Sequence, residues 1–176
     1  GTVTAASANG VYLNSGAINS AGLLTLTGTA TGTSTTVANN GVYMTSSASL
    51  TSAGGIAIAS TGTTGGTNAV VNLLGSVTNT GTTGTGITIS STADTSTAAI
   101  TNSGANGVRI TGGYGIAAGT TTGGNILALG TITNTGGVVA LSMAQPGASP
   151  YTIEGKVGIT SSNVSMANIR YSNVGG

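Results

Sequence analysis

Ile100-Thr101-Asn102-Ser103-Gly104 and Ile132-Thr133-Asn134-Thr135-Gly136 are two copies of one phrase. It runs aliphatic, Asn or Thr, Asn or Ser, a small residue, Gly. Three further copies stand at Ile18-Asn19-Ser20-Ala21-Gly22, Leu50-Thr51-Ser52-Ala53-Gly54 and Val77-Thr78-Asn79-Thr80-Gly81. Successive copies lie 32, 27, 23 and 32 residues apart. A recurring unit of that length is one supersecondary element that stacks on copies of itself.

Short alternating runs flank the phrases. Val11-Tyr12-Leu13, Leu24-Thr25-Leu26, Val42-Tyr43-Met44, Ile56-Ala57-Ile58, Ile87-Thr88-Ile89, Val108-Arg109-Ile110, Leu127-Ala128-Leu129 and Val139-Ala140-Leu141 each put two aliphatics on one side. That period of two marks a half-buried strand. Clusters of Gly, Asn, Ser and Thr separate the runs, as turns require. The order run, phrase, run repeats along the chain. The fourth unit is irregular, because no clear strand precedes Ile100 and Asp94 sits in that stretch.

Three short strands per unit predict one coil of a parallel β-helix, advancing about 4.8 Å per coil. Stacking then places Ile18, Leu50, Val77, Ile100 and Ile132 in one internal ladder. Asn79, Asn102 and Asn134 are expected to form a partial ladder at a turn, as stacked Asn does in in-register assemblies. The Gly closing each phrase is expected to supply a positive φ or a close approach at the corner. The fold class is therefore all-β, a β-solenoid of about five to seven irregular coils. Its rival is a β-sandwich, pilin-like subunit, which would need antiparallel pairs.

Composition fits a narrow interior. The chain has 176 residues, 38% of them hydrophobic, with no Phe, no Trp and five Tyr, so Val, Ile, Leu and Ala must fill the core. The 32 glycines and abundant Thr, Ser and Asn disfavour helix. Charge is nearly absent: Asp94 and Glu154 are the acids, and Arg109, Lys156 and Arg170 the bases. With a mean hydropathy of +0.34 the chain must fold or aggregate rather than be solvated as a disordered polyelectrolyte.

The same composition limits function. No Cys and no His exclude disulfides, thiol nucleophiles and soft metal sites. A net charge of +1 without a basic cluster argues against nucleic-acid binding. No 18-residue apolar run is present, so no membrane insertion is expected. The chain starts at Gly1 without Met or a signal-like segment, and is read as a piece of a mature or larger protein.

Residues 1–145 read as the repeat region. Both prolines, Pro146 and Pro150, interrupt the pattern, and 146–176 reads as a divergent terminal coil or the start of a following module. Three of the five charges lie there. No charged or helical cap is evident over 1–8, so an open strand edge would join further coils or another copy.

The strings Gly130-Thr131-Ile132-Thr133-Asn134-Thr135-Gly136-Gly137 and Gly16-Ala17-Ile18-Asn19-Ser20-Ala21-Gly22-Leu23-Leu24-Thr25-Leu26 resemble bacterial surface exoproteins. The closest types are filamentous-haemagglutinin-like two-partner exoproteins and autotransporter passenger domains, over about residues 9–142. The resemblance implies a right-handed parallel β-helix, extracellular and displayed on a bacterial cell surface, often adhesive. It carries over no catalytic residue, because these segments resemble the stalk.

Chemistry is sparse in the residues themselves. Hydrolysis by paired carboxylates would need Asp94 and Glu154 within about 5 to 10 Å, yet they stand 60 residues apart in loop and tail. The plainer reading has Asp94 capping a turn and Glu154 pairing with Lys156. Calcium sites need several carboxylate or carbonyl oxygens in a regular pattern, which the chain lacks. Gly112-Gly113-Tyr114-Gly115 has no following Lys-Ser/Thr and reads as a corner, not a phosphate loop. The chain is read as no enzyme, with no cofactor.

Surface contacts are the remaining candidates. Thr25-Leu26-Thr27, Thr29-Ala30-Thr31 and Thr120-Thr121-Thr122 do not recur at the coil period, which weakens an ice-binding reading; Thr also serves as a soluble strand former. Tyr12 and Tyr43 hold equivalent outward positions in consecutive coils, and Arg109 is central in its own strand. These three are the candidate contact residues, whether for a host or biofilm glycan or simply as stacked surface groups. The expected function is a structural segment of a secreted or cell-surface fibre or adhesin that self-associates end to end or laterally. The alternative is a glycan- or ice-binding solenoid module.

Overall fold

The structure is a computed structural model. It describes residues 2–3, 9–30, 40–62, 70–91, 95–112, 127–143, 151–154, 158–160, 164–167 and 169–172. All regular structure among the described residues is strand. In chain order the strands are β1 (Thr2–Val3), β2 (Asn9–Leu13), β3 (Gly16–Ser20), β4 (Leu24–Ala30), β5 (Asn40–Met44), β6 (Ala48–Ser52), β7 (Ile56–Gly62), β8 (Val70–Asn79) and β9 (Ile87–Ser91). They continue as β10 (Thr95–Asn102), β11 (Val108–Gly112), β12 (Leu127–Asn134), β13 (Val139–Met143), β14 (Tyr151–Glu154), β15 (Gly158–Thr160), β16 (Val164–Ala167) and β17 (Ile169–Ser172).

The strands stack in parallel coils. One sheet has the order β1-β4-β7-β9-β11-β13-β16, and the other runs β17-β14-β12-β10-β8-β5-β2 with β3, β6 and β15 beside that path. Each neighbour in a sheet is the next copy along the sequence, so the chain winds as a β-solenoid. Pairing is parallel throughout the described strands, from β2 on β5 to β14 on β17. A β-sandwich of antiparallel hairpins is thereby excluded.

The core is a set of aliphatic columns. Leu26, Ile58, Ile89, Ile110 and Leu141 are in register along one sheet, with Leu24, Ile56, Ile87, Val108 and Val139 two residues before. Opposite them, Val42 and Val71 lead one column and Met44 and Leu73 the next. From Val42 to Leu141 these aliphatics are buried, whereas Val11, Leu13, Ile18, Leu24 and Leu26 of the first coil are half-buried. Among the described residues no aromatic ring enters this core, which suits its narrow section.

Two features differ from the three-strand coil expected from the sequence. The corner between the first and second strands tightens along the axis. Leu13 to Ala17 and Met44 to Ser49 turn through irregular residues, but β8, β10 and β12 run straight through. Their backbones close up there: a Cβ on Gly75 would lie 1.9 Å from the Ala48 carbonyl oxygen, and one on Gly130 would lie 1.9 Å from that of Ala98. Second, a strand does precede Ile100. Thr95-Ser96-Thr97 opens β10 and pairs with Val71-Asn72-Leu73. It escaped the pattern because Thr, not an aliphatic, fills the inward positions.

The strands β14 to β17 continue both sheets: β14 and β15 pair with β12, β16 with β13, and β17 with β14. Asp94, Gly113, Tyr114, Thr120 to Thr122, the prolines and Lys156 lie outside the described residues.

Candidate functional site

The phrase residues meet in space as columns. Ile18, Leu50, Val77, Ile100 and Ile132 pair in consecutive register, and Ile159 extends the same backbone column. Leu50, Val77, Ile100 and Ile132 are fully enclosed. Two residues on, Ser20, Ser52, Asn79, Asn102 and Asn134 form a second inward column. It sits at the corner where each coil leaves the second strand.

That polar column is hydrogen-bonded along the axis and into each turn. The Asn79 amide donates to Asn102 Oδ1 at 2.9 Å, and the Asn102 amide to Asn134 Oδ1 at 2.7 Å. Each side chain also holds its own bend. Gly104 N–H donates to Asn102 Oδ1 at 3.1 Å, and Asn102 Nδ2 donates to Gly104 O at 3.0 Å. Gly81 N–H reaches Asn79 Oδ1 at 3.3 Å, and Asn134 Nδ2 donates to Gly137 O at 3.2 Å. Ser52 plays the shorter version, accepting from Gly54 N–H at 3.1 Å and donating to Gly22 O at 2.7 Å. Buried amides carry two donors and an acceptor that must be matched, and here the next coil and the turn match them.

The phrase glycines do one of their two expected jobs. Positive φ falls not on them but later, at Gly55, Gly84, Gly107 and Gly137 (102°, 83°, 76° and 66°). What the phrase glycines provide is close approach. A Cβ on Gly81 would stand 1.8 Å from the Ala53 carbonyl oxygen, and one on Gly54 would stand 2.4 Å from the Gly22 carbonyl carbon. Gly22, in the first copy, meets nothing within 4 Å.

Tyr12 and Tyr43 are paired in register and their rings stack, with centroids 5.5 Å apart and planes 14° from parallel. Tyr12 is 53% exposed and its hydroxyl donates to Asn14 Oδ1 at 3.0 Å. Next in that column comes Asn72, so the aromatic stack ends at the second coil. Arg109 is exposed but belongs to the other sheet, where it stands between Thr88 and Ala140. The structure joins the two tyrosines and leaves Arg109 apart from them.

The structure also assembles a threonine column that the sequence reading did not include. Asn19, Thr51, Thr78, Thr101 and Thr133 pair in consecutive register on the outward side of the second strand. Beside them run Ala17, Ser49, Ser76, Ala99 and Thr131. All are half-buried or exposed. Rungs about 4.8 Å apart and columns about 6.6 Å apart make a regular lattice of short hydroxyl and methyl groups. Its signal is the second position of the phrase itself, whereas the denser Thr clusters lie elsewhere.

Among the described residues no group of three or more His, Cys, Asp or Glu converges on one point. Glu154 has its backbone in β14, between Ala128 and Ser172. No helix among the described residues is long and apolar enough to cross a membrane. No family model, characterised protein or solved structure matches this chain.

Proposed function

We propose that this chain is a structural segment of a secreted or cell-surface fibre or adhesin, of the kind its sequence resembles among bacterial exoproteins. The carrying observation is the unbroken register of the Ile18-to-Ile159 column, coil upon coil. Every coil hydrogen-bonds the next along the axis, which gives length and axial stiffness without a globular core. Each coil face is also a template for another, so its natural partners are further coils, of the same chain or a second copy. Electron microscopy of purified protein, with sedimentation at rising concentration, tests this. Rods that lengthen with concentration or with added flanking chain are expected; compact globular particles under both conditions would refute it.

The threonine column favours a second reading, recognition of a repeating hydroxyl surface such as a glycan fibre or ice. Regularity is what such a surface needs, so Thr101→Tyr should abolish binding on a polysaccharide array or in an ice-shaping assay while leaving the far-UV spectrum unchanged. If the unaltered protein scores in neither assay, this reading falls and the scaffold reading stands.

A further inference from the structure

We propose that the fourth coil carries a built-in opening point, set by Thr95 and Thr97 in the first half of β10. In the three coils before it these two inward columns are aliphatic: Val11, Val42 and Val71 lead to Thr95, and Leu13, Met44 and Leu73 lead to Thr97, which Leu129 follows. Thr95 is 1% exposed and Thr97 5%. Neither hydroxyl has a hydrogen-bond partner among the described residues. A buried hydroxyl without a partner favours the open state, where solvent satisfies it.

Three further observations place the weakness in this half-strand. Thr97 is smaller than Leu73 and Leu129 on either side, so the column loses packing contact there. The register between β8 and β10 shifts immediately after it, between Thr97 and Ala99. The far end of the same strand is fastened, because Ile100 is enclosed and Asn102 is bonded to both neighbouring coils. Of the other unpartnered polar atoms, Asn40 keeps a 2.8 Å bond to Asn9, Ser60 lies in β7 beside Gly41, and the half-buried Asn72 lies in β8 in register with Ser96, in the column of Tyr12 and Tyr43. Only β10 puts two such hydroxyls into adjacent aliphatic columns. In a solenoid each coil touches only its neighbours, so opening there separates the coils before it from those after it.

Hydrogen exchange on the full chain tests the assignment. Amides of 95–97 should exchange roughly ten-fold faster than those of 100–102 in the same strand. Thr95→Val, nearly isosteric, and Thr97→Leu, matching its column neighbours, should each slow exchange at 95–97 about ten-fold and raise the melting temperature. Thr101→Val, on the outward side, should change neither. If Thr97→Leu overpacks and fails to fold, Thr95→Val decides alone. Equal protection across 95–102, or faster exchange and a lower melting temperature in Thr95→Val, would overturn the proposal.

Discussion

Replacing Asn102 probes what fixes one coil upon the next. The side chain makes four hydrogen bonds of 3.1 Å or less: to Asn134 Oδ1, to Gly104 O, from Gly104 N–H and from the Asn79 amide. A net bond is worth about 1 kcal/mol, more where a buried partner is stranded. Asn102→Ala does not strand every partner. The Asn79 amide keeps its 3.2 Å bond to Thr85 O, and Gly104 O still accepts from Gly107 N–H at 2.9 Å. The expected loss is therefore about 3–4 kcal/mol. Asn102→Ser offers an internal control, because Ser52 holds the same corner two coils earlier and captures its Gly N–H. It should keep the bond from its own Gly N–H, make one to the preceding turn as Ser52 does to Gly22 O, lose the amide bonds to Asn79 and Asn134, and cost about half as much. Urea unfolding followed by circular dichroism measures both. A loss under about 1 kcal/mol for Asn102→Ala, or equal losses for Ala and Ser, would refute a ladder that bonds both turn and neighbour.

Glycine position gives a sharp contrast. Gly54→Ala must push the backbone of the coil before it and should lower the melting temperature by several degrees, whereas Gly22→Ala, which meets nothing within 4 Å, should leave it nearly unchanged. Ile100→Ala, at the centre of the enclosed column, should cost about 2–5 kcal/mol in the same urea titration. Tyr12→Ala removes one ring of an exposed stack and should cost about 1 kcal/mol or less, with a visible loss in the near-ultraviolet signal of the Tyr pair.

The columns through the phrase were legible in the sequence because their residues recur at the coil period. Ile132 and Asn134 can be matched by eye to Ile100 and Asn102, whatever loop length intervenes. Three things were not legible, for separate reasons. Thr95 and Thr97 sit inward where burial normally selects aliphatics, so a hydropathy reading passes over them. The outward Thr51-to-Thr133 column lies inside the phrase, but Thr is so common along the chain that denser clusters elsewhere mask it. The merging of two strands into β8, β10 and β12 depends on how closely backbones approach at Gly75 and Gly130, a distance that no single coil's sequence encodes. Tyr12 and Tyr43 aligned as expected, yet Arg109, which shares their central place in an alternating run, belongs to another sheet. Position within a strand does not say which face of the coil that strand builds.

Near-interchangeable aliphatic columns raise a problem of register. Val, Ile and Leu stacked on Val, Ile and Leu would accept a slip of one whole coil almost as well as the native pairing, since burial is non-directional. The polar column removes that freedom. Asn79, Asn102 and Asn134 bond one another, while Ser20 bonds its own turn and Ser52 the turn before it, so a slip that set a serine beside Asn102 in place of Asn79 would break an amide–amide bond. The close glycines guard against a smaller slip within a coil, because a side chain carried into the place of Gly81 would strike the Ala53 carbonyl. The scarcity of charge follows from the same geometry. Residues in one outward column stand about 4.8 Å apart, where like charges repel by about 1 kcal/mol even in water. A repeated charged phrase would multiply that penalty by the number of coils. Accordingly Arg109 stands between Thr88 and Ala140, and Glu154 between Ala128 and Ser172. Threonine and serine keep the surface wet without a charge to stack, and asparagine sets the register without a charge to bury.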